Sequence, residues 1–147
     1  MISLTRERAA SRLLSIGGLA VSLYLTAVHF SQGQIPLICS DSGLVDCARV
    51  TTSQLSMVGP IPVAALGIFW FSVALVLGSE LPRLTLARAI RAEIAWAAAG
   101  LAGVFYLIYV ELFVVGAICL WCTVVHVLIA GVFLLAVNRA EAEKALA

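Results

Sequence analysis

"IAWAAAGLAGVFYLIYVELFVVGAICLWCTVVHVLIAGVFLLAV", Ile94 to Val137, is a run of 44 residues with a single formal charge, Glu111. As one helix it would be about 66 Å long at about 1.5 Å per residue, roughly twice the 30 Å of a bilayer's hydrocarbon core. It must fold back once. Gly116 is the natural turning point, because glycine tolerates the left-handed conformation that ends helices. The run then divides into spans at about 94–116 and 119–137, and Cys119 and Cys122 open the second of them.

Two more apolar stretches lie upstream. Leu13 to Phe30 is long enough to cross a bilayer, and so is Ile61 to Gly78, entered through Pro60 and Pro62, where missing amide donors cost little. Composition agrees with a membrane protein: 63% of residues are hydrophobic and 12% charged, and mean hydropathy is +1.10. A soluble chain carries about twice that share of charge. The net charge of +1 is uninformative, and no basic stretch interleaved with aromatics points to nucleic acid. With no repeat, linker or low-complexity segment, the expected fold is all-α: one membrane domain over residues 1–147, a four-transmembrane-helix bundle with an outer loop carrying a cysteine pair.

Basic residues favour the cytoplasmic side of short loops. Arg6, Arg8 and Arg12 precede the first span, Arg83, Arg88 and Arg91 join the second to the third, and Arg139 and Lys144 follow the fourth. Only Arg49 falls on the other side, so both termini are expected in the cytoplasm and all four cysteines outside. No small-residue cleavage site follows the first span, which is therefore expected to be retained.

The outer side is normally oxidising, and disulfides persist there. Cys39 and Cys47 lie in "CSDSGLVDCARVTTSQL", where Ser40, Asp41, Ser42 and Gly43 read as a mobile turn. Four such cysteines fit two structural disulfides. A four-thiolate zinc site is a weaker fit, because the first pair is spaced too widely. Thr123, not histidine, follows Cys122, which excludes c-type haem attachment. A third reading is redox chemistry. Residues three apart share a helical face, and the first turn offers unpaired amides and the positive end of the dipole, which favour thiolate.

The set as a whole resembles the vitamin K epoxide reductase family. The likeness rests on four apolar spans, a loop pair with seven residues between its cysteines, and Ser53 six places after Cys47. It also includes the C-x-x-C that opens the last helix, "DCARVTTS" from Asp46 to Ser53, and Pro62 and Gly67 at the start of the second span. The resemblance implies a four-helix bundle around a quinone of the menaquinone, ubiquinone or vitamin K type. It implies that Cys122 faces the quinone, Cys119 is its partner, Cys47 bridges to that partner and Cys39 exchanges with thiols outside. Ser53 is implied to lie close to the quinone.

Vertebrate members resemble this chain but are known for an asparagine and a tyrosine that hydrogen-bond the quinone oxygens. Here the only asparagine, Asn138, is on the inner side, and His126 stands where their tyrosine falls. Epoxide reduction loses its support accordingly. Many bacterial members also look like this with a thioredoxin-like domain fused behind. This chain is too short to hold one, so a separate thioredoxin-fold partner is expected.

His126, four residues beyond Cys122 on the same face, is a candidate hydrogen-bond donor to a quinone oxygen or a proton carrier. Glu111, five residues before Gly116, is expected to reach the headgroups, and His29 to lie at the interface. Trp70, Phe69 and Tyr106 are expected to pack or to join an interfacial belt, while Trp121 has the best claim to flank a flat ring. Heavy use of alanine and arginine favours a bacterial cytoplasmic membrane, and with it electron flow from thiols to quinone. The competing readings are an endoplasmic-reticulum enzyme working in the reductive direction and a disulfide-braced scaffold without catalysis.

Overall fold

The computed structural model describes residues 2–31, 34–39, 43–79 and 85–146. In chain order it contains α1 (Ile2–Phe30), α2 (Cys47–Thr51), a 3-10 turn (Gln54–Ser56), β1 (Met57–Val58), β2 (Ile61–Pro62), α3 (Val63–Leu77), α4 (Leu86–Tyr109) and α5 (Leu120–Leu146). A π-helical turn, Val110–Val115, carries α4 on to Gly116. Ser40, Asp41 and Ser42 of the expected mobile turn, with Arg83, lie outside the described residues.

The fold-back falls where expected. Gly116 caps the π turn in the left-handed conformation, with φ +67°, and α5 starts four residues later. Three helical stretches, 5–30, 86–115 and 120–145, are long and apolar enough to cross a membrane, and α3 is a shorter apolar helix. Within the expected span 61–78 the helix is α3. Its 15 residues reach about 22 Å, because the residues before it form a hairpin. Gly59, at φ +62°, opens the two-residue turn of that hairpin, where primed turns favour glycine. The other helices outrun their expected spans at the basic ends, since α1 continues back through Arg12, Arg8 and Arg6 and α5 runs on past Arg139. A hydropathy run stops where charges begin; backbone hydrogen bonding does not.

α1 packs on α5 and α3, and α4 packs on α5. Small residues set those distances. A Cβ on Gly18 would overlap Phe71, one on Gly67 would meet the Ser22 hydroxyl, and one on Gly100 would overlap the Trp70 ring. Close approach over small residues is how helices associate where no water remains to drive them together. Phe71, Val104 and Ile129 form the central apolar contact. The bundle has polar groups inside and apolar groups outside. Ser11, Ser15, Ser22, Glu93, Glu111, His126 and Arg139 are buried, whereas Leu13, Phe69, Phe105 and Phe113 are largely exposed, as suits a lipid-facing surface.

Candidate functional site

The sequence Asp46-Cys47-Ala48-Arg49 starts α2 because the Asp46 carboxylate accepts the Arg49 amide at 2.8 Å, a side-chain N-cap. This cap fixes Cys47 in the first turn, where it is fully buried. Just before it, Leu44 to Asp46 runs alongside Ile118. The Ile118 amide donates to the Leu44 carbonyl at 2.8 Å, and the Asp46 amide donates to the Ile118 carbonyl at 3.1 Å. That clasp brings the loop against the residue preceding Cys119. Cys47, Val50, Ala117 and Cys119 form one buried cluster, with Cys39, Cys122 and Trp121 packed against it. All four cysteines therefore meet in one place. Cys39 and Cys47 are joined in a disulfide, and Cys119 and Cys122 are free thiols.

The loop is held more firmly than its composition suggests. Tyr24 accepts the Ile38 amide at 3.0 Å and donates to the Pro36 carbonyl at 2.9 Å, while Trp121 donates through its indole N–H to the Ile38 carbonyl at 2.7 Å. The two rings meet edge to face at 5.3 Å. Trp121, expected to flank a quinone, clamps the segment leading to Cys39 and is not among the residues lining the cavity described below. Phe69 and Tyr106 point outward, and Trp70 packs on Phe71 and Trp96.

Cys119 precedes the first residue of α5 and caps it with sulfur. The Cys122 amide donates to the Cys119 Sγ at 3.3 Å. The amide donor expected to favour a thiolate at Cys122 is present, but it serves the other sulfur, because an N-cap side chain reaches the amide three residues on.

Cys122 opens on a cavity that is partly continuous with the surroundings. α2 and the 3-10 turn form one wall with Val50, Ser53 and Leu55; α3 adds Val63 and Gly67; α4 and its π turn add Leu107 and Glu111; α5 adds Cys122 and His126; and α1 adds Ser22 and His29. Of the expected residues, Ser53 and His126 thus join Cys122, whereas Cys119 stays behind it with Cys47. The Ser53 hydroxyl is already committed, donating to the Val50 carbonyl at 2.8 Å. The His126 ring is buried yet has no hydrogen-bond partner among the described residues, and it faces the cavity. Apolar walls with a few unclaimed polar groups and a thiol suit a flat apolar ring bearing carbonyl oxygens, the chemistry of a quinone.

Two further polar residues line this cavity. His29 does so from the C-terminal end of α1. Glu111, expected among headgroups, is 6% exposed, and its Oε2 accepts the Cys119 amide at 3.3 Å. Its carboxylate lines the same cavity as Cys122. The π turn explains the departure. A wider turn shifts the helical register, and such bulges recur at functional sites. Nothing in local composition marks that shift, although a lone carboxylate in an apolar run is itself a signal.

A helical membrane bundle that gathers two cysteine pairs beside a cavity defines a class of membrane redox proteins. Residues 10–137 of the 147 match the vitamin K epoxide reductase family, and the chain belongs to that family. Membership carries oxidoreductase activity through cysteines, generally linked to quinones. A search of curated proteins returned no match.

Proposed function

We propose that this protein is a membrane thiol-disulfide oxidoreductase that passes electrons from a separate thioredoxin-fold partner, through its two cysteine pairs, to a quinone. The reaction supports disulfide formation in exported proteins. In this reading all four long or apolar helices span the bacterial cytoplasmic membrane, α3 completing its crossing with the hairpin, both termini lie in the cytoplasm, and the cysteines face outward. The observation that carries it is the division of labour in the cluster: Cys122 on the cavity wall, Cys119 behind it, and Cys47 against Cys119 through the clasp.

The partner's dithiol reduces the Cys39–Cys47 bridge by exchange at Cys39. The Cys47 thiolate then attacks Cys119 in a Cys119–Cys122 disulfide, forming a mixed disulfide and releasing Cys122. Cys39 attacks Cys47, which restores the loop bridge and leaves the helix pair reduced. That end point matches the bonding seen here, with the loop pair bridged and the helix pair free. Bound quinone accepts the two electrons that the helix pair then gives up. Ser53, His29 and His126 are the polar groups available to hold its oxygens.

The double variant Cys39→Ser/Cys122→Ser removes both competing nucleophiles. Under oxidising conditions, mapping of disulfide-linked peptides should find Cys47 joined to Cys119. Finding both thiols free would overturn the relay order.

A further inference from the structure

Reducing a quinone to a quinol takes two electrons and two protons, and closing the Cys119–Cys122 disulfide breaks the corresponding S–H bonds. The cysteines and the cavity account for the electrons. The protons need a path, since Cys119 is fully buried and Cys122 lies within the bundle. One acid meets both members of the pair: Glu111 accepts the Cys119 amide through Oε2 at 3.3 Å and lines the same cavity as Cys122. It reaches that position from the π turn, whose last carbonyls are drawn into the fold-back, with the Ala117 amide donating to the Glu111 carbonyl at 3.0 Å. No cation pairs with Glu111 among the described residues. The other titratable groups facing the cavity are His126 and Cys122 from α5 and His29 from α1.

We infer that Glu111 is the proton acceptor of the helix dithiol, taking the Cys122 proton as the disulfide closes and passing it into the cavity beside His126. This assignment rests on the quinone-reducing reading above. The steps balance. The Cys119 sulfur, which accepts the Cys122 amide, gives up its proton on the loop side, where it packs on Cys47. As the sulfur–sulfur bond forms, the Cys122 S–H bond breaks and its proton goes to Glu111. Two electrons leave for the quinone. Glu111 then supplies one proton to the cavity through His126, which lines the same space, and water at the loop end supplies the second, replacing the one lost from Cys119. A positioned acceptor of this kind contributes about 100-fold or more in rate.

The substitution Glu111→Gln isolates this role. The amide oxygen of glutamine can still accept the Cys119 N–H, so the fold-back keeps its bond while the proton acceptor is lost. The full chain is reconstituted in lipid without quinone and its helix pair is oxidised by diamide. The infrared difference spectrum, oxidised minus reduced, should show a carboxylic-acid band that is absent in Glu111→Gln and retained in Glu111→Asp. With a water-soluble naphthoquinone added, Glu111→Gln should reduce it about 100-fold more slowly than the parent, with quinone affinity unchanged, and Glu111→Asp should recover part of the rate. A parent protein that reduces quinone without showing the band, or a Glu111→Gln rate equal to the parent's, overturns the assignment. A parent protein that shows the band but reduces no quinone overturns the function proposed above and leaves the proton acceptor standing.

Discussion

α4 buries two glutamates 18 residues apart, about 27 Å along its axis, and the bundle treats them in opposite ways. At one end Glu93 is ion-paired with Arg139 from α5, both 2% exposed, and also accepts the Ser11 hydroxyl from α1 at 3.2 Å. Three helices are tied there by one charged knot, and Arg12 adds a bond from α1 to the Gly78 carbonyl at the end of α3. At the other end Glu111 has no cation beside it among the described residues, and it faces the dithiol end of α5 and a cavity. A paired buried carboxylate serves cohesion. An unpaired one is costly to keep, and its presence beside reacting sulfur is what a functional group looks like in a membrane. The bundle thus separates a structural end from a chemical end on the same helix.

Perturbing each end should break different properties. Cys122→Ser should abolish quinone reduction while moving the thermal midpoint in detergent only slightly, because serine nearly preserves its volume. Cys119→Ser should also stop turnover from the soluble partner. A Cys122→Ser protein that still reduces quinone would move the cavity-facing role to Cys119. At the opposite end, Arg139→Met should leave Glu93 buried without a partner and cost about 3–5 kcal/mol of stability. Thermal unfolding and protease sensitivity read that loss, and the double variant Glu93→Leu/Arg139→Met should recover most of it. If Arg139→Met instead leaves the midpoint unchanged, the structural end is no lock and the contrast between the glutamates collapses. The smallest effect belongs to the loop clamp. Trp121→Phe removes one hydrogen bond to the Ile38 carbonyl, worth about 1 kcal/mol. Amide exchange at Ile38 should then rise about five-fold. No change there would assign the clamp to Tyr24 alone.

Features that depend on neighbouring residues were legible in the sequence. Gly116 between two apolar runs placed the fold-back, and Cys119-x-x-Cys122 placed the start of α5, because a left-handed glycine and a helix cap are local events. The alternation of charged and apolar stretches separated the spans, though it missed the ends of α1 and α5, where helix continues into water. The hairpin before α3 escaped because its strands are two residues each, too short to show alternation. The burial of Glu111 escaped for a different reason: its distance from Gly116 gives only depth, and its direction depends on a π turn. The aromatic surface of Trp121 was visible, but not the bond of its indole N–H to Ile38, 83 positions away, which holds the ring where it sits. Cys39, Cys47, Cys119 and Cys122 were visible as a set, but their gathering depends on the Leu44–Ile118 clasp, a long-range pairing that no residue in either segment announces.

The helix that carries Cys119 or follows it, Cys122 and His126 is also the one on which α1 packs most heavily. It leaves the ribosome after α1, α3 and α4. Until it arrives, α1 has only α3 as a substantial neighbour, Glu93 has no Arg139, and Cys47 has Cys39 but no helix thiol to meet. Maturation of the bundle and arming of the redox centre therefore coincide, so that a nascent chain stalled before α5 holds loop thiols but no route for their electrons.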